Sequence, residues 1–232
     1  MKFKQAHTLI KTICCFKGEA PEATCEYLFC KLHEPEYLGT HDGNHVCIGC
    51  MLDDSVSKLD RFLTEVTDIE VRNDENIDYI FTNYILLTYL TVEKLHTIFK
   101  FIGITWDYVN EKWPVLVEIR KWANFIKHPK GFLFTHHPEY VFEYDTINRA
   151  DTTKQFIDFA IVSKFYFRED ESKFKGTLKE IANKDNITVI LPNPERVTQE
   201  FVIACKEFCE KLKNNEHFKE ILKTKVIIDD ID

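Results

Sequence analysis

Arg120, Asn124 and His128 stand four residues apart in the run Arg-Lys-Trp-Ala-Asn-Phe-Ile-Lys-His-Pro. In a helix of about 3.6 residues per turn, positions four apart drift by only about 40°, so the three side chains share one shallow stripe. Trp122, Phe125 and Ile126 then face elsewhere, toward a core. Pro129 disfavours the helical region for His128 and cannot continue the helix, which puts the imidazole at a helix C-terminus. The partial negative charge there favours the imidazolium. An Arg that forks onto a phosphate and a His that titrates near neutrality are the minimum parts of a metal-independent phosphodiester-cleaving site. A solvated helix face ending in His-Pro has the same pattern, and both readings stay open.

The surroundings of that stretch favour phosphate. Residues 111–131 carry Lys112, Arg120, Lys121, Lys127 and Lys130 against only Glu111 and Glu118, whereas residues 53–78 hold nine carboxylates against Lys58, Arg61 and Arg72. An anionic substrate is steered to the first region and away from the second. The net charge of −8 excludes a protein that coats nucleic acid indiscriminately, since that affinity comes from cations. There is no Gly-rich phosphate loop, nucleophile elbow, His-Glu-x-x-His or kinase signature.

A second constellation lies near the N-terminus. Cys25-x4-Cys30 is followed after sixteen residues by Cys47-x2-Cys50, which approaches a four-thiolate zinc site, with His33, His41 and His45 as substitutes for any one ligand. Cys25 and Cys30 also fit one amphipathic helix with Tyr27, Leu28 and Phe29, as buried thiols. Structural zinc and plain packing are both retained, and no metal is required for catalysis. Cys205 and Cys209 read as packing residues, His96 as a satisfied core or interface histidine, and His136 and His137 as surface residues.

The elements that must position these side chains are mostly helical. Nineteen Phe and nine Tyr against seven Gly and seven Pro favour long regular elements with few tight turns. The spacing of Val56, Leu59, Phe62, Leu63 and Val66 predicts a helix capped by Asp53 or Asp54. A second and longer one runs from Ile77 to Ile102 and ends at Gly103. Trp113-Pro114 opens the helix that carries the Arg-Asn-His stripe. The runs 132–134 and 140–144 read as a hairpin or two edge strands, 156–167 is ambiguous between helix and strand, and Ile187–Leu191 reads as a strand. From Pro194 a final long helix runs to Asn214, and a short segment follows near Phe218–Leu222. The fold class is therefore mainly α: a bundle with long antiparallel helices, a Cys-rich N-terminal module and a few short strands in the C-terminal half. Composition shifts divide the chain into 1–51, 52–130 and 131–232. Lysines punctuate the first twenty residues and polar groups interrupt the most apolar stretch, which predicts neither a signal peptide nor a membrane span and a cytoplasmic location.

A long amphipathic helix followed by a helix bearing Arg and Asn and ending in Lys127-His128 resembles the HEPN superfamily, over roughly residues 52–130. That resemblance implies an α-helical domain that binds RNA and cleaves it without a metal, as a bacterial toxin or antiviral defence effector. It further implies a homodimer whose interface completes the site, and an antitoxin or defence-system protein as partner. The superfamily motif is an Arg, a polar residue, and a His four to six residues beyond. Seven residues separate Arg120 from His128 here, and six separate Lys121 from it, so Lys121 is an alternative to the Arg. On this reading Arg120 clamps the scissile phosphate, His128 moves a proton and Asn124 orients one of them. Two rival readings are a non-catalytic helical dimerisation or docking module, and a zinc-stabilised nucleic-acid-binding adaptor.

Overall fold

Apolar residues recurring every three or four positions set the architecture. The computed structural model describes residues 3–13, 48–67, 76–127, 138–164 and 186–216. Within them the chain forms α1 (Lys4–Lys11), α2 (Ile48–Thr67), α3 (Ile77–Phe101), α4 (Trp106–Lys112), α5 (Pro114–Lys127), β1 (Glu139–Phe142), β2 (Lys154–Ile157), α6 (Phe159–Lys164), β3 (Asn186–Leu191) and α7 (Pro194–Lys213). The protein is mostly helical with one small parallel sheet.

The longest helix, α3, buries Ile80, Phe81, Tyr84, Ile85, Val92, Leu95, Ile98 and Phe99 and packs against both α2 and α5. It ends at Gly103 as its sequence predicts. The Ile104 N–H donates to the Phe99 carbonyl at 2.9 Å, and Gly103 takes a φ of +72°, a left-handed conformation that a residue with a Cβ adopts only at a cost of about 1 kcal/mol.

The expected cap of α2 is corrected. The helix starts at Ile48, because the spacing of Leu52, Val56, Leu59 and Leu63, all buried, continues upstream of the aspartates. Asp53 lies inside the helix and is only 7% exposed, so neither it nor Asp54 is the N-cap. The composition boundary at residues 51 and 52 thus falls inside one helix. Phe3, Ala6, Ile10 and Ile13 join the same hydrophobic core, and α1 packs on α2 and α7. Residues 14–47, and with them most of the Cys-rich segment, lie outside the described residues. So do residues 132–134 and 218–222.

The sheet has the order β1-β3-β2, with both outer strands parallel to β3. Five of the six residues of β3 are buried, as a central strand of a covered parallel sheet requires. The Tyr140–Tyr144 run contributes the edge strand β1, whose partner Val189 faces Tyr140 in a parallel ladder. The ambiguous stretch 156–167 contains both states. The end of β2 and the start of α6 meet at Asp158, which accepts from the Ile161 N–H at 3.3 Å. Phe81 joins the layers, with ring centroids 5.8 Å from Trp122 on α5 and 6.4 Å from Phe142 on β1, both edge-on. No described helix is long and apolar enough to cross a membrane.

Candidate functional site in the seam between two helices

Tyr89, Glu93 and His96 recur at four and three residues along α3, and Arg120, Asn124 and Lys127 recur likewise along α5. Each set therefore forms one stripe, and the two stripes meet. The Arg120 Nε lies 3.7 Å from Glu93 Oε1, and the Lys127 Nζ stands 3.8 Å above the Tyr89 ring. As α5 advances from Arg120 to Lys127 its contacts recede from Glu93 to Tyr89, so the two helices run in opposite directions. Trp106, supplied by α4, closes one end: its ring lies 4.8 Å from the Arg120 guanidinium carbon and 4.7 Å from the His96 ring. The seam is half-open, with the Arg120 and Glu93 side chains 33% and 36% exposed.

The charges in this seam are only partly matched. At 3.7 Å the Arg120–Glu93 contact is an ion pair without a hydrogen bond, and the buried Glu93 Oε1 has no hydrogen-bond partner among the described residues. Burial, then Arg120 and Lys100, hold the His96 pKa below its ordinary value of 6.5, against a smaller opposing pull from Glu93. The imidazole is accordingly neutral at pH 7 and able to accept a proton. Burial and the neighbouring Glu93 carboxylate push the Tyr89 hydroxyl up to about 12, so it remains a donor. Burial also lowers the Lys127 pKa. The groove thus holds two cations, one of them paired with the Glu93 carboxylate, a neutral imidazole, and a phenol hydrogen-bonded to that carboxylate; an oxyanion that displaces Glu93 from Arg120 would meet both cations and a group able to accept a proton.

Of the residues singled out from the sequence, Arg120 stands in this seam. Asn124 lies one helical turn on, half-buried. Lys121 does not share the seam: its Nζ stands 5.7 Å above the Phe159 ring of α6, so it leaves the helix in another direction from Arg120. His128 follows the last residue of α5 and lies outside the described residues, as do Cys25, Cys30, Cys47, His136 and His137. Cys50 belongs to α2, and its side chain is outside the described set. Cys205 and Cys209 are buried on α7 and form no disulfide, and burial raises the Cys205 pKa, as packing residues require.

Three seam residues escaped the sequence reading, Tyr89, Glu93 and Trp106, and His96 was read as a satisfied core or interface histidine. The signal on α3 was the four-and-three spacing of positions 89, 93 and 96, which acquires meaning only beside α5. A second polar cluster was also missed. Arg196, on the first turns of α7, donates to Glu118 of α5 at 2.8 and 3.1 Å and to Glu143, just past β1, at 3.0 Å. Glu118 is thereby withdrawn from the charge balance of the α3–α5 seam. Among the described residues no group of three or more His, Cys, Asp or Glu side chains is arranged to hold a metal ion. A scan against models of known families and searches of curated proteins and of solved structures find no match to this chain.

Proposed function

We propose that the chain is an HEPN-like RNA-binding protein that cleaves RNA without a metal, with its chemistry in the α3–α5 seam. The observation that supports this reading is the meeting of Arg120 with a neutral histidine across one aromatic ring, Trp106. Arg120, with Lys127, takes the phosphate charge. His96 removes the proton from a ribose 2′-hydroxyl, whose oxygen attacks phosphorus. His128, the residue that follows Lys127 in the sequence, returns a proton to the departing 5′-oxygen, leaving a 2′,3′-cyclic phosphate and a 5′-hydroxyl. Asn124 holds the bound phosphodiester in register. A second copy of the chain would supply the remainder of the groove, and an inhibitory partner would hold the activity in check.

One observation favours a second reading. Arg120 already has an ion-pair partner in Glu93 and a ring partner in Trp106, so it also ties α3, α4 and α5 together, as a docking module would use it. Fluorescence anisotropy with single-stranded RNA separates the two. Arg120→Ala is expected to weaken RNA binding about tenfold or more and to reduce the slope of log affinity against log salt by about one. Unchanged affinity and slope, in protein that remains folded by circular dichroism, would exclude the seam as the phosphate site.

A further inference from the structure

Two arginine–glutamate pairs tie α5 to its neighbours, and they are built differently. Arg196 of α7 donates to both carboxylate oxygens of Glu118, at 2.8 and 3.1 Å. Arg120 Nε instead stands 3.7 Å from Glu93 Oε1, beyond hydrogen-bond length. An anion that approached Arg196 would have to break two charge-assisted bonds, whereas Arg120 and Glu93 are joined by Coulomb attraction alone, in a seam that water partly screens. Glu93 is nevertheless placed where the cations and donors of the seam converge. The Tyr89 hydroxyl donates to its carboxylate, and its charge is felt by Lys127 and His96 as well as by Arg120. Its Oε1 is buried with no donor among the described residues, a desolvation loss that one good hydrogen bond from Arg120 would have removed.

The carboxylate thus occupies the anion position of the seam without being firmly held in it. It carries the same single negative charge and the same acceptor oxygens as a phosphodiester, so the two compete for Arg120, Lys127 and Tyr89. They cannot share the seam, because like charges at contact distance repel. Glu93 is also free to leave: its side chain is half-exposed, and a glutamate that swings toward water regains the hydration that its buried oxygen lacks. We propose that Glu93 is an internal stand-in for the phosphate, an autoinhibitory contact that closes the α3–α5 seam in the free protein and yields Arg120 only to an anion that displaces it. The identity of that anion as an RNA phosphate rests on the function proposed above. The contest between Glu93 and an oxyanion for Arg120 does not.

Isothermal titration of the full chain with inorganic phosphate tests the contact, with fluorescence anisotropy on single-stranded RNA run beside it. Glu93→Gln keeps the shape of the side chain and an acceptor for Tyr89 but removes the charge. It should tighten phosphate binding about tenfold or more, the weight of one like charge at contact distance near a protein surface. Glu93→Ala, which suits a helix, should give a similar gain, and it decides the matter if the glutamine variant does not fold. Adding Arg120→Ala to Glu93→Gln should cancel the gain, which a general loosening of the helices would not do. Phosphate binding that is absent throughout, or unchanged or weakened in both Glu93 variants, would overturn the autoinhibitory contact, and so would a gain that survives the loss of Arg120. If Arg120→Ala still weakens RNA binding in that event, the seam remains the RNA site and Glu93 is structural. An Arg120-dependent gain with phosphate, in a protein none of whose variants binds RNA, would uphold the contact and defeat the proposed function instead.

Discussion

His96 sits where burial and two cations, Arg120 and Lys100, all disfavour its imidazolium. Its folded pKa is lower than the 6.5 of the unfolded chain, so as pH falls through 6.5 the unfolded state takes up the proton first. Whatever stability the neutral imidazole contributes is therefore present above that value and is lost on acidification. We expect the melting temperature of the wild type to fall more between pH 8 and pH 5 than that of His96→Gln, and thermal melts of both proteins across that range check it. Parallel curves would mean that His96 does not feel the seam. At this scale the sequence was half legible. Arg120 announced itself through its spacing to Asn124 and His128, whereas Lys121, its immediate neighbour, turns to Phe159. His96 read as a satisfied core or interface histidine because what distinguishes it, Trp106 and Arg120, comes from two other helices.

The helices α3, α5 and α7 were readable from apolar spacing, since each carries a long uninterrupted stripe. The short α4 was not, because its seven residues hold one buried side chain, Val109, and its start depends on a local cap: the Thr105 hydroxyl accepts from the Tyr108 N–H at 3.3 Å. The parallel sheet was not readable either. Its ladders join Glu139 to Thr188 and Lys154 to Asn186, and local alternation carries no information about partners that distant. What holds these elements in place is in part the Arg196 cluster. Glu118 and Glu143 raise the Arg196 pKa further above its already high value, so the guanidinium stays charged. Arg196→Ala would leave the Glu118 side chain, 11% exposed, without a counter-ion. We expect a loss of about 2 kcal/mol in urea unfolding, less than the 3–5 kcal/mol of a fully buried pair because Arg196 is partly solvated. Replacing Arg196 and Glu118 together by Met should recover part of that loss. No recovery would mean that the arginine stabilises by other contacts.

At the scale of the whole molecule, one hydrophobic core gathers α1 through α7 and all three strands. The first thirteen residues were assigned by composition to a separate cysteine-rich module, but Phe3, Ala6, Ile10 and Ile13 are buried in this common core. Cysteine and glycine counts describe the segment between α1 and α2 and say nothing of the α1 face. The same core packs α5 against α3, α4, α6 and α7, which fixes the candidate seam. Arg120 and Lys127 are the cations of that seam in a chain whose total charge is −8. The measurement that tests the account most directly is cleavage of total tRNA and mRNA, with excess EDTA present, by the wild type, His96→Ala and His128→Ala. The account predicts cleavage by the wild type alone, with 2′,3′-cyclic phosphate ends, and a loss of about a hundredfold or more in each variant. Equal cleavage by all three would contradict the assignment of the seam, and no cleavage by folded, dimeric wild type would contradict the ribonuclease reading.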